Sequence, residues 1–191
     1  MPELTGTASE RLLDAAREQL RQSTWADVSM AAVAHQAGVS RQTLYNSFGT
    51  RQQLAQALLL REVESFLTDV EVALDGAGDE PEQALELAFG AYLRGIELNP
   101  LVRAIVVEED PDLLALLIEQ GINVVGYASA RLGRAISELW PQASEADVSL
   151  LSDSLVRLAV SFAVFPSGPE RDVAGEIRLL LGPFVLRALG R

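Results

Sequence analysis

Val28 to Arg51 reads VSMAAVAHQAGVSRQTLYNSFGTR, and this stretch decides how the rest of the chain is organised. It specifies two short helices, a tight turn between them and the start of a third helix. Ser29 is a fitting N-cap for the first, because its hydroxyl can accept from an orphan backbone N–H. Met30, Val33, Ala34 and Ala37 recur at helical spacing and leave one face apolar. Gly38 follows where the helix stops and the backbone needs a positive φ. Val39 is placed to plug the angle between the two helices. Ser40 caps the second helix, Arg41 to Phe48, whose Leu44 and Phe48 point inward. Gly49 ends it, and Thr50 caps the next, with Gln53 positioned to complete a capping box.

The arrangement is a helix-turn-helix in which Ser40 to Phe48 is the recognition helix. Its exposed set is Arg41, Gln42, Thr43, Tyr45 and Asn46. Arginine pairs well with guanine and glutamine with adenine in the major groove, while Tyr and Thr hydroxyls suit phosphate oxygens. A plain helical hairpin would carry Glu, Lys and Ala on its outer face; this face has donors and few acids. The same residues resemble the DNA-binding segment of the TetR family of bacterial repressors. That family's pattern has an aromatic, then T-V, I-A, A-G-V-S, T-L-Y, F, and K before a Leu. Trp25, Ser29-Met30, Val33-Ala34, Ala37-Gly38-Val39-Ser40, Thr43-Leu44-Tyr45, Phe48, Arg51 and Leu54 match it. The departures are Thr24 and Gln42, where the family usually or often has Gly, and Arg51 for Lys. Gln42 adds a base-reading side chain. The resemblance covers residues 7–55, and the remainder fits by size and helical character.

At 191 residues with 49% hydrophobic content, the chain is long enough for one large domain or two small ones with a sizeable core. It has no run of 18 apolar residues, so no membrane span or membrane partner is expected. MPELTGTASE at the N-terminus has acids and no apolar segment, unlike a secretory signal. Cysteine is absent, which excludes disulfides and thiol catalysis and fits a reducing cytoplasm. All 15 basic residues are arginine and the net charge is −12, which argues against generic nucleic-acid affinity. Residues 1–50 hold four arginines against five acids, net −1, and the remainder holds 11 against 22, net −11. A near-neutral reading head on an acidic body predicts few phosphate contacts per subunit.

Outside the central stretch the pattern is helical throughout. Thr7 with Glu10 is a candidate capping box for a first helix striped by Leu12, Leu13, Ala16 and Leu20. A helix runs from Arg51 to about Leu74, and Asp75-Gly76-Ala77-Gly78 breaks it. Asp79 is expected to cap the next helix. Asn99-Pro100 and Asp110-Pro111 each combine an N-cap with Pro at the first helical position. Gly121 and Gly126 lie inside a long helix ending near Trp140-Pro141, which suggests close packing or a bend. Ser144 opens another helix, Pro166-Ser167-Gly168-Pro169 stops it, and Gly182-Pro183 is expected to kink the last one. The expected fold is all-α, about nine helices: a DNA-binding domain over residues 1–50 and a ligand-binding and dimerisation domain over residues 51–191.

No catalytic constellation appears. His35 has no acid three or four positions away, and Glu108-Glu109-Asp110-Pro111-Asp112 reads as an acid-decorated helix start rather than a metal cage. No enzyme activity, cofactor or metal is expected. The expected function is a ligand-responsive repressor, with a helical hydrophobe-binding protein carrying a vestigial helix-turn-helix as the alternative. A two-fold dimer would bind a pseudo-palindromic operator, with Arg41 and Gln42 reading bases and Ser40, Thr43, Tyr45 and Arg51 gripping phosphates. The resemblance implies that the last two helices pair with a partner's, and Leu155, Leu158, Phe162, Ile177, Leu181 and Phe184 are expected to contribute to that interface or to the core beside it. It also implies a pocket inside the body, for which Phe66, Phe89, Tyr92, Leu93, Ile96, Ile105, Leu117, Val125 and Phe162 are the candidate lining. These are mostly apolar, so the ligand expected is an uncharged or single-headed hydrophobe such as a fatty acyl chain.

Overall fold

The computed structural model describes residues 7–168 and 171–191. The first six residues of the N-terminal decapeptide, and Pro169, lie outside the described residues. Among those described there are nine α-helices, one 3-10 turn at Trp25–Asp27 and no strand. The helices are α1 (Ala8–Gln22), α2 (Met30–Gln36), α3 (Arg41–Phe48), α4 (Arg51–Asp75), α5 (Pro81–Glu97), α6 (Pro100–Val106), α7 (Pro111–Leu139), α8 (Glu145–Val164) and α9 (Val173–Ala188). They form two compact units, residues 1–62 with 99–120 and residues 63–98 with 121–191. The division falls inside α4 and α7.

The first unit is built on local capping chemistry. Thr7 and Glu10 form the anticipated capping box on α1, and the Thr7 backbone N–H holds the Glu10 carboxyl below its ordinary range. Leu12, Ala16, Leu20, Val33, Leu44, Leu54 and Leu58 are fully buried, whereas Leu13, placed on the same stripe by the sequence, is only half-buried. A polar cluster sits inside this apolar shell. The Glu62 carboxylate, 4% exposed, accepts from Asn99 Nδ2 at 2.5 Å and lies 3.2 Å from Arg17 Nε. The other side of the Asn99 amide caps α6, its Oδ1 accepting from the N–H groups of Leu101 (2.9 Å) and Val102 (3.2 Å). Arg103 on α6 donates to the Leu20 carbonyl of α1 at 2.9 Å. The segment 99–120 is thus fastened to α1 and α4 through groups distant in sequence. Asn99→Ala removes a cap and a donor to a buried carboxylate, so a loss of about 2–4 kcal/mol is expected. Thermal denaturation followed by circular dichroism reads this as a fall in Tm, and an unchanged Tm would show the cluster to be dispensable.

In the second unit, Leu67, Leu74, Leu85, Phe89, Leu132, Ile136, Val148, Leu155, Ile177 and Val185 belong to one buried apolar cluster. α5 runs along α9 at close range, and Gly182 is where they approach: a Cβ there would come within 2.6 Å of Glu82 Oε1. α9 runs from Val173 to Ala188 with Pro183 inside it. On the outside of this core, Arg131 of α7 bridges to α4, donating to Glu71 at 2.6–2.7 Å, to Thr68 at 3.0 Å and to Glu64. Hydrogen bonding to Glu71 raises the already high pKa of Arg131 further. One expectation fails locally. Asp79 does not cap α5, whose N-cap is Glu80 without a side-chain bond; Pro81 at the first helical position presets φ for the turn. A Cβ at Gly121 or Gly126 would meet nothing within 4 Å, so close packing does not explain either glycine.

Candidate nucleic-acid interface

The helix-turn-helix forms as its caps and glycines dictate. Ser29 Oγ accepts from Ala32 N–H at 3.1 Å and Ser40 Oγ from Thr43 N–H at 3.0 Å. Gly38 takes φ 66° and Gly49 φ 67°, the left-handed conformation that a Cβ disfavours. Thr50 and Gln53 complete their capping box, with Thr50 N–H to Gln53 Oε1 at 3.0 Å and Gln53 N–H to Thr50 Oγ1 at 3.1 Å. Thr24, where a Gly is usual, has φ −74° and precedes the 3-10 turn, so this backbone needs no glycine there. The inward face of α2 and α3 is Val33, Ala34, Ala37 and Leu44, all buried, with Phe48 half-buried.

The outward face of α3 presents Arg41, Gln42, Tyr45 and Asn46, all exposed, with Ser40 exposed at the cap and Thr43 half-buried. Tyr45 is 51% exposed, which is unusual for so large a ring unless something covers it. Gln42 Nε2 donates to Asn46 Oδ1 at 3.1 Å, and the Ser40 and Thr43 hydroxyls pair at 2.8 Å. Arg41 has no ion-pair partner among the described residues. The α3 residues assigned a DNA role from the sequence are thus open to solvent, Thr43 in part.

Arg51, expected to grip phosphate, also makes contacts within its own unit. Its guanidinium lies over the Trp25 ring, 4.9 Å from the centroid, and donates to the Trp25 carbonyl. It also lies 3.8 Å from Asp112. The side chain remains 34% exposed, and these contacts tie the start of α4 to the 3-10 turn. No local sequence pattern signals this, because Trp25 and Asp112 are 26 and 61 positions away.

The segment that carries this surface, residues 12–58, matches the family model of bacterial regulatory proteins of the tetR family. Residues 80–183 match the bacterial tetracyclin repressor, C-terminal domain. The chain belongs to the TetR family. Its relatives span nearly its whole length. The helix-turn-helix transcriptional regulator AlkX of Mycobacterium tuberculosis is 34% identical over 179 residues, covering 93% of this chain and 85% of AlkX. The Escherichia coli regulator UidR is 25% identical over 190 residues, covering 94% and 89%. The crystal structure of the TetR family repressor AlkX from Dietzia sp., implicated in biodegradation of n-alkanes, superposes with a TM-score of 0.84 at 30% identity, covering 96% of this chain and 97% of that one. A TetR-family regulator from Streptomyces coelicolor superposes with a TM-score of 0.62 at 25% identity, covering 96% and 100%. This chain is accordingly a TetR-family transcriptional regulator and not an enzyme. These relatives are all transcriptional regulators, so the alternative of a hydrophobe-binding protein with a vestigial helix-turn-helix gains nothing from them.

The residues nominated for a ligand are divided between the units. Phe66, Phe89, Tyr92, Leu93, Ile96, Val125 and Phe162 belong to the second, Ile105 and Leu117 to the first. Four of them form an aromatic chain: Phe66 to Tyr92 at 5.7 Å, Tyr92 to Phe89 at 5.9 Å and Phe89 to Phe162 at 5.8 Å between ring centroids. The Tyr92 hydroxyl donates to the Ala159 carbonyl at 2.8 Å, and burial pushes its pKa up. The polar handle foreseen for a ligand is thus engaged by α8. A small apolar cleft of about 10 Å³ lies elsewhere, among Ile136, Trp140, Val148, Phe184 and Leu189, and none of the nine nominated residues lines it.

The residues nominated for the dimer interface or the core beside it all pack against the protomer's own core. Leu155 and Ile177 are 8% and 3% exposed, and both pack into the protomer's own core. Leu158, Phe162, Leu181 and Phe184 are partly buried against that core. The apolar residues left open on α8 and α9 are others: Leu150, Val160, Leu179 and Leu180. Both helices are apolar on more than one side, and periodicity alone does not say which side a partner meets.

Proposed function

We propose that this chain is a repressor that binds a pseudo-palindromic double-stranded operator as a homodimer in the cytoplasm and is released by a small hydrophobic ligand. Residues 1–50 read DNA and residues 51–191 hold the ligand and the partner. The observation that carries the DNA reading is the outward face of α3, which presents Arg41, Gln42, Tyr45 and Asn46 to solvent while Leu44 is buried on the inward face. Arg41 and Gln42 read bases; Ser40, Thr43 and Tyr45 contact phosphates; Asn46 lies among them. Support for a hydrophobic ligand comes from the aromatic chain of the second unit. The likeness to a Dietzia regulator implicated in biodegradation of n-alkanes also supports it. A long-chain fatty acid or alkane is the class favoured. The dimer is formed by the outer faces of α8 and α9.

Ligand and operator must compete through a coupling free energy, typically about 1–3 kcal/mol or roughly 5–150-fold in affinity. Titrating operator DNA with and without saturating palmitate, hexadecane and a polar control tests this directly, and operator must weaken ligand binding by the same factor. Response to the polar control alone would reject the hydrophobe.

The assignments on the reading surface separate in their salt dependence. Tyr45→Phe is expected to weaken every duplex alike by a few-fold to about tenfold, the loss of one hydrogen bond to an anionic oxygen. Arg51→Ala is expected to lower Tm while leaving the slope of log affinity against log salt unchanged, since removing a phosphate contact would reduce that slope by about 1. A reduced slope for Arg51→Ala would return that residue to the phosphate-gripping set.

A further inference from the structure

Gln42 and Asn46 are one helical turn apart, both exposed, and hydrogen-bonded to each other at 3.1 Å with Gln42 Nε2 donating and Asn46 Oδ1 accepting. We infer that this amide pair makes α3 read two neighbouring base positions jointly, with adenine opposite Gln42 and guanine opposite Asn46. The inference rests on α3 being the recognition helix.

The argument is one of donors and acceptors. A carboxamide carries one oxygen acceptor and two N–H donors. Gln42 spends one N–H on Asn46, which leaves its Oε1 and one N–H facing outward. That is the complement of adenine, whose major-groove edge offers the N6 amino donor beside the N7 acceptor. Asn46 has turned its oxygen toward Gln42 and keeps both Nδ2 protons. Two donors suit the two acceptors of guanine, O6 and N7. Four residues of helix rise about 6 Å, more than the roughly 3.4 Å between base pairs, so the two amides face different pairs.

The pairing also couples them. To read a base with the opposite pattern, Gln42 must turn its amide over, which sets its oxygen against Asn46 Oδ1 unless Asn46 turns as well. No acid on α3 competes for either amide, and among the described residues Arg41 and Tyr45 make no hydrogen bond to them. The helix therefore recognises a two-base word rather than two independent letters, and Asn46 is a positioning residue for Gln42 as well as a reader.

The test selects a binding sequence from randomised duplexes with the full-length protein. Affinities are then measured for all base combinations at the two positions, for the wild type, Gln42→Ala, Asn46→Ala and Asn46→Asp. For the wild type, one wrong base is expected to cost about tenfold, and the second, added to the first, less than roughly threefold because the contacts are coupled. Asn46→Ala is expected to erode the adenine preference at the position it does not touch. Asn46→Asp keeps the Oδ1 acceptor, so it should retain that preference while weakening all duplexes through carboxylate–phosphate repulsion. Additive base penalties, with Asn46→Ala altering only its own position, would overturn joint reading. So would an Asn46→Asp protein that loses the adenine preference as Asn46→Ala does. A folded wild type that selects no sequence would remove the operator reading itself and this inference with it, a result distinct from specific but additive binding.

Discussion

A Leu180→Glu chain is expected to be a folded monomer with roughly 10²–10⁴-fold weaker operator binding, the loss that follows when two linked half-site contacts become independent. Leu180 and Leu179 are 65% and 69% exposed on α9, and Leu150 is 57% exposed on α8. A change at so exposed a site should alter protomer stability by no more than about 0.5 kcal/mol. In a two-fold interface the same position occurs twice, so a single substitution buries two carboxylates without partners. Ile177→Glu provides the contrast. Ile177 is 3% exposed and lies in the protomer core, so its replacement should unfold the second unit rather than merely separate subunits. Light scattering and thermal melting together resolve the two. A Leu180→Glu protein that remains a dimer with full operator affinity would place the interface on another face.

Trp25→Ala is the substitution expected to cost the first unit most. The ring is 1% exposed and carries the Arg51 guanidinium 4.9 Å from its centroid. Truncating a buried aromatic costs about 3–5 kcal/mol, and the lost cation–π contact adds about 0.5–2 kcal/mol. The Trp25 carbonyl stays in place, so Arg51 keeps an acceptor but loses the surface it rests on. Trp140, the other tryptophan, belongs to the second unit and becomes the sole indole reporter of its folding. Operator binding should therefore fail at a temperature where Trp140 emission is still native. Coincident loss of both signals, with Tm shifted by less than a few degrees, would mean that the ring is not the keystone of the reading head.

How much of this molecule could be read from its sequence depends on the range of the interactions involved. The capping boxes at Thr7–Glu10 and Thr50–Gln53, the Ser29 and Ser40 caps and the positive-φ glycines Gly38 and Gly49 were legible because each is settled within a few residues. A hydroxyl two or three positions before an orphan N–H has little choice of partner. The same locality made Asn99 recognisable as a cap. It did not disclose that the other side of that amide meets Glu62, 37 positions away, within a buried cluster joining α6 to α1 and α4.

The tertiary structure alone decided three matters. Arg51 meets the Trp25 ring and carbonyl because folding brings both beside the start of α4. Residues 99–120 join the first unit although they follow α5 of the second, a division made by long-range contacts that leave no mark on composition. On α8 and α9 the hydrophobic pattern identifies residues that avoid water without saying what they meet instead. Leu155 and Ile177 turn inward, while Leu150, Leu179 and Leu180 stay on the surface. The sequence by itself determined an all-helical chain with a DNA-reading helix at its capped, glycine-bounded turn. Which apolar face is core and which is open was decided only when the helices packed, because burial is a property of neighbours and not of the residue that seeks them.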